Sequence, residues 1–228
     1  MNLVEVFISL GLITAIYKYI ENKTYDVVYE TSNLDNKQYL VRNLPDKKEA
    51  ANTLAHIALS LQKIVSYVKT TENTKLFNDY LKDDFDKEYN INKKNKDDEE
   101  IILKKQKLIK KLEKDIKRLV SNFNPDTISE NTPDAKYTSY SVNKGEKLFF
   151  CIRSKKNNEK LVDKNVMLFV AIHELSHLMT EEVGHPPDFW NNFRFLLKVA
   201  VDIKVYKYIN FNAYPKDYCG TQITDTPL

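Results

Sequence analysis

The chain has 228 residues, 42% of them hydrophobic, 29% charged and 11% aromatic. That is enough for one domain with a real core plus an appendage, or for two small domains, and it excludes collagen-like, disulfide-scaffold and mostly disordered classes. Lys plus Arg is 35 and Asp plus Glu is 32, so the net charge is +3, too small to imply a polyanionic partner. Two cysteines, Cys151 and Cys219, cannot build a disulfide framework and fit a reducing compartment better than a secreted one.

Residues 3–20 are apolar except for Glu5 and Lys18, with an uncharged run over residues 6–17. The run is shorter than the roughly 20 residues of a bilayer span, and Glu5 together with the lack of a small-x-small cleavage site argues against a signal peptide. Two readings stay open for residues 1–22: a membrane anchor, or an amphipathic helix docked on protein or membrane. In the spanning case Lys18 and Lys23 place the rest of the chain on the cytosolic side.

Residues 23–133 read as a β-hairpin followed by a helical region. Residues 25–31 (YDVVYET) and 38–42 (QYLVR) are β-rich and flank the turn-forming Asn33-Leu34-Asp35-Asn36. After Pro45-Asp46, Ala50, Leu54, Ile57, Leu61, Ile64 and Val68 recur at helical spacing. A polar stretch near 70–98, ending in a charge block from Lys93 to Glu100, reads as a mobile connection. Helical spacing returns at Ile102, Leu108, Leu112, Ile116 and Leu119, and two packed amphipathic helices are expected here. The lysines between Lys104 and Arg118 alternate with acids and apolar positions, which fits a solvated helix face better than phosphate contacts.

Residues 134–212 begin with strand signals. Residues 137–142 (YTSYSV) and 147–153 (KLFFCIR) flank Asn143-Lys144-Gly145, where glycine supplies the positive φ of a tight hairpin. Asp163 can cap a helix containing Val166, Phe169, Val170, Ile172 and Leu175, running to about Glu182 before Gly184 ends it. Pro186-Pro187-Asp188 opens another, from Phe189 to about Ile209, and residues 213–228 form a tail without a usable period.

The chemistry concentrates in HELSHLMTEEVGH, from His173 to His185. His173 and His177 are four apart on a predicted helix, so both imidazoles leave one face and can share a tetrahedral zinc ion. Glu174 points beside such a metal and can take a proton from a water activated there. His185 is the expected third ligand, delivered by the helix break at Gly184. An H-E-x-x-H string is expected by chance in roughly five of a thousand sequences of this composition. Glu181, four beyond His177, is a rival third ligand or a group that holds a histidine.

With Gly-His-Pro-Pro-Asp-Phe-Trp following H-E-x-x-H, the segment resembles the WLM and SprT-like zinc metallopeptidases, whose third ligand lies in a similar G-H-x-x-F context. Over residues 137–202 it more closely resembles WLM-type metallopeptidases encoded by large double-stranded DNA viruses. The resemblance implies an α+β, minimal zincin-like domain at residues 134–212 acting on proteins or peptides. It further implies zinc on His173, His177 and His185, with Glu174 as general base and acid. It implies a viral protein; the expected location is intracellular, with membrane attachment through residues 3–20 and association with the virion both left open. Two alternatives stand beside this: a catalytically inactive, zinc-stabilised structural or interaction protein, and a DNA-dependent protease acting on DNA-bound proteins.

The remaining residues have blander readings. Strand 147–153 either borders the cleft and pairs with an extended peptide or is a buried core strand. Trp190, Phe193, Phe195 and Leu196 read as core, and Phe189 as the residue that pins the turn before the last helix. Tyr137, Tyr140 or a tail residue can supply an oxyanion donor. His56 reads as a satisfied or surface histidine, Cys151 as buried and inert. Cys219 has a weak alternative as an inhibitory thiolate on zinc.

Overall fold

The computed structural model describes residues 12–14, 26–92, 95–96, 98–154 and 159–228. The expected anchor segment lies outside these apart from residues 12–14, which are helical; among the described residues no helix is long and apolar enough to cross a membrane. β1 (Val27–Thr31) and β2 (Gln38–Arg42) form the first hairpin, with Val27 opposite Arg42 and Thr31 opposite Gln38. α1 (Lys47–Thr70) buries Ala50, Leu54, Ile57, Leu61, Ile64 and Val68, the six positions its spacing singles out.

The stretch near 70–98 departs from expectation. It carries α2 (Asn73–Leu76), a π-helical turn (Phe77–Leu81) and α3 (Lys82–Glu88), and it buries Leu76, Phe77, Tyr80 and Phe85. The π turn inserts an extra residue into the helical register, so the buried side chains do not recur at a 3.6-residue period and the segment looks patternless. Tyr80 is fixed at both sides, its hydroxyl 3.0 Å from that of Tyr67 and donating to Asp202 at 2.7 Å. α4 (Glu99–Asn122) is capped by Asp98 and buries Leu112, Ile116 and Leu119. Lys104 and Lys117 pair with Glu100 and Glu113 one turn away, as a solvated face requires, while Lys111 reaches the buried carboxylate of Asp115.

β3 (Ile128–Glu130) runs parallel to β5 (Lys147–Phe150), and β4 (Ser139–Val142) antiparallel to it, in the order β3-β5-β4. Of the two readings open for residues 147–153 the structure selects the core strand: β5 is central, and β4 is the edge strand. The cause is β3, a three-residue strand too short to leave a sequence pattern. It also lies before residue 134, so this sheet draws on both sides of the expected boundary. β2 meets β3 through a side chain: Glu130 accepts the Arg42 backbone N–H at 2.8 Å and Arg153 Nε at 2.7 Å, while Arg153 also binds Asp46.

α5 (Lys164–Met179) is capped by Asp163, which accepts from Asn165 N and Val166 N. Every residue from Val166 to Ile172 is buried, the signature of a central helix, and α5 packs against α1, α4, α6 (Pro187–Asp202) and β4. α5 stops at Met179 rather than near Glu182, and α6 at Asp202 rather than near Ile209. The tail is also structured: β6 (Lys216–Tyr218) and β7 (Thr221–Ile223) pair around Cys219 and Gly220, both at positive φ.

Cys219 is joined to Cys151 by a disulfide that spans 68 residues. Cys151 is buried as expected, but the bond corrects the expectation that the two cysteines stay reduced as in a reducing compartment, and Cys219 is not available as a thiolate ligand. A single pair of cysteines has no spacing signature, and here one partner sits at the tip of a hairpin with three-residue strands. The architecture is α+β, with a core running from Tyr39 to Cys219 that includes side chains of α1, β5, α5 and α6.

Candidate metal centre

His173 and His177 occupy successive turns of α5 and are its half-buried residues within an otherwise buried stretch. The chain then doubles back through Gly184, at φ 85°. A Cβ there would meet nothing within 4 Å, so this glycine is needed for its backbone and not for space. His185 arrives opposite the helix with its Nε2 3.1 Å from Nε2 of His173. The three ring centroids stand 4.9 to 5.0 Å apart, and one nitrogen from each ring lies within 4.8 Å of the others. Nitrogens sharing a tetrahedral zinc at about 2.0–2.1 Å lie about 3.3 Å from one another. Three imidazoles in this arrangement fit zinc and leave a fourth position open.

Phe189, fully buried, is the hub beneath the histidines, with ring centroids 4.9, 4.4 and 4.5 Å from His173, His177 and His185. Trp190 is not core as expected: it is 44% exposed and its ring lies 5.7 Å from that of His185. Glu181 is neither a ligand nor a histidine holder, because its carboxylate meets Lys114 at 2.9 Å and Arg118 at 2.6 Å. His56 lies on α1, outside the histidine cluster.

The last carbonyls of α5, which lack helical partners, are taken up by neighbours. Thr180 N–H and Oγ1 donate to Ser176 O, Lys144 Nζ to His177 O, Asn122 Nδ2 to Leu178 O and Arg118 to Met179 O. Two of these donors are cations at a helix C-terminus, where the helix dipole favours them. No sequence pattern singles out Lys144, Asn122 or Arg118; their role depends on how α4 and the β4–β5 turn pack on α5.

No family model matches the chain. Over 226 residues it is 31% identical to the uncharacterized protein R325 of Acanthamoeba polyphaga mimivirus, in an alignment covering 99% of this chain and 97% of that protein. The chain belongs to the R325 family. Matches of 82 residues reach uncharacterized protein 136R of Invertebrate iridescent virus 6, 33% identical, and 042R of Invertebrate iridescent virus 3, 31% identical. Each covers 36% of this chain, with 44% and 49% of the respective viral protein. Among solved structures, Wss1 from Saccharomyces cerevisiae is similar with 16% identity and a TM-score of 0.31, over 44% of this chain and 81% of that one.

In this member of the R325 family the histidines open onto a cleft of about 650 Å³. It is lined by Tyr137, Ser139, Tyr140 and Ser141 and by Asn143 and Lys144 of the β4–β5 turn, by His173, Glu174 and His177 of α5, and by Val183, Gly184 and His185 of the loop that follows. Of the candidate hydroxyl donors, Tyr137 is 57% exposed, Tyr140 stacks on Phe149, and Tyr218 from the tail is buried against Ser139 Oγ at 2.5 Å.

Burial is the main cause of the charge states here. It lowers His173 to about 3 and His177 to about 4, with the other imidazoles adding to the shift, and it raises Glu174 to about 8. Without metal the two histidines are neutral when folded but bind protons below about 6.5 when unfolded, so stability falls as pH drops from 6.5 towards 4. Glu174 acts in the opposite sense: the folded chain holds its proton between 4.5 and 8, so this contribution is lost as pH rises through that window. Thermal melts in a chelator are expected to peak near pH 6.5. A monotonic rise in melting temperature to pH 9 would contradict these assignments.

Proposed function

We propose that the chain is a zinc-dependent metallopeptidase that hydrolyses peptide bonds, with His173, His177 and His185 as ligands and Glu174 as general base and acid. The observation that carries this reading is the convergence of three imidazole nitrogens in an open cleft that a buried carboxyl group also lines. Zinc held there supplies Lewis acidity to a scissile carbonyl and lowers the pKa of an attacking water. Glu174, adjacent to His173 and 6% exposed, would be held as the carboxylate by the charge of a bound zinc ion, and in that form it accepts the proton of that water and returns it to the leaving amine. β4, as the edge of its sheet, offers unpaired backbone groups to an extended peptide lying along the cleft.

The relatives are viral proteins; an intracellular site of action and membrane association through residues 3–20 belong to the same proposal. Purified protein is expected to carry one zinc per chain, and His185→Ala to weaken zinc binding by about two orders of magnitude or more. Zinc content measured by elemental analysis checks this, and a wild-type chain without stoichiometric zinc would defeat the reading. A hydroxamate separates the inactive alternative: a site with an open coordination position binds it, and a closed structural site does not.

A further inference from the structure

The loop that delivers the third histidine has little of its own to hold it. Residues 181–185 are all exposed, and Val183 is 89% exposed, so no side chain between Glu181 and His185 is anchored by burial. Arg118 meets this loop through the Glu181 carboxylate, an ion pair whose acid is 67% exposed and which is therefore weak. The stronger hold comes from the β4–β5 turn. Asn143 and Lys144 adopt left-handed backbone, φ 45° and 57°, and Gly145 follows at φ 112°. From this turn Lys144 Nζ donates to His177 O at 3.3 Å, Thr180 O at 2.9 Å and Glu182 O at 2.8 Å.

We infer that Lys144 is the positioning residue of the metal centre, clamping the helix turn that carries His177 to the loop that carries His185. An ammonium has three donors and no acceptor, so it can satisfy three converging carbonyls at once. The same residue belongs to the turn that ends β4, and it therefore ties the cleft's edge strand to both parts of the ligand set. Without it, three carbonyl oxygens face one another and the loop loses its backbone anchor. Asn122 makes a useful contrast, because it caps Leu178 O on the helix and does not reach the loop carbonyls.

This inference rests on the zinc reading above, and its test is zinc affinity of the metal-free full chain, measured by competition with a chromophoric chelator. Lys144→Met is expected to weaken zinc roughly 10- to 100-fold, the range of groups that orient metal ligands. Lys144→Arg is expected to restore most of the affinity, and Asn122→Ala to stay within about threefold of wild type. Melting of the metal-free variants should show Lys144→Met and Asn122→Ala losing similar stability, so that the affinity difference is not a folding difference. If Lys144→Met does not fold, Lys144→Gln, which keeps two donors without charge, is read against the same threshold. Affinity within threefold of wild type for the Lys144 variant, or an equal loss for Asn122→Ala, overturns the inference. His185→Ala tells the two ideas apart: if it binds zinc like wild type, the metal site itself is wrong, whatever Lys144 does.

Discussion

Glu174→Gln is expected to reduce peptide hydrolysis by roughly 10²–10⁴-fold, the usual contribution of a positioned general base and acid, while zinc content stays at the wild-type level. Gln has the shape of Glu but cannot accept and return a proton, so the loss should fall on kcat with KM little changed. The fold should not suffer. Glu174 is 6% exposed and its carboxyl is raised to about 8 by burial, so the metal-free chain already accommodates a neutral group there at pH 7. Above pH 8 the wild type must bury a charge or release its helix, whereas the Gln variant meets no such demand. Metal-free Glu174→Gln is therefore expected to melt higher than wild type at pH 9, with the difference shrinking as pH falls through the window from 8 and closing near pH 4.5. Turnover of a mixed peptide digest at the wild-type rate by this variant would remove Glu174 from the chemistry.

The candidate site was legible in the sequence because its signal is local. H-E-x-x-H fixes two imidazoles on one helix face by the helical period alone, and Gly184 announces the reversal that His185 needs. α1, the first hairpin, the Asp163 cap and the β4–β5 turn were legible for the same reason, each being set by residues within a few positions of one another. What was illegible depends on partners far apart in the chain. The edge position of β4 follows from β3, three residues long and 17 or more positions before β5. The Cys151–Cys219 bond needs a tail hairpin whose strands are equally short. Phe77, Tyr80 and Phe85 escape a periodic search because the π turn displaces them, and Lys144 looks like an ordinary turn residue until α5 ends beneath it. A helix whose every side is buried also hides its functional face: only His173 and His177 show, in the folded chain, which side of α5 meets the cleft.

Gly145→Ala is expected to destabilise the fold by about 3–5 kcal/mol, among the larger effects of a single substitution. Two causes add. Gly145 sits at φ 112°, where a residue with a Cβ is strained by about 1–3 kcal/mol, and the added Cβ would lie 2.2 Å from the carbonyl oxygen of Asn122 and 3.0 Å from Leu178 Cδ2. The oxygen is backbone at the C-terminal end of α4, so no rotamer change relieves the clash; the turn must lift from α4 and α5. Gly184→Ala isolates the first cause, since its φ of 85° is equally restrictive but nothing lies within 4 Å of the new Cβ. Chemical denaturation of both variants should therefore place Gly145→Ala below Gly184→Ala by at least about 2 kcal/mol, the cost of separating packed backbone. Equal losses would mean that the β4–β5 turn does not press on the ends of the two helices. The consequence reaches the metal, because the lifted turn carries Lys144 with it: Gly145→Ala should lose zinc affinity along with stability, whereas Gly184→Ala should lose affinity through His185 with the rest of the fold nearly intact.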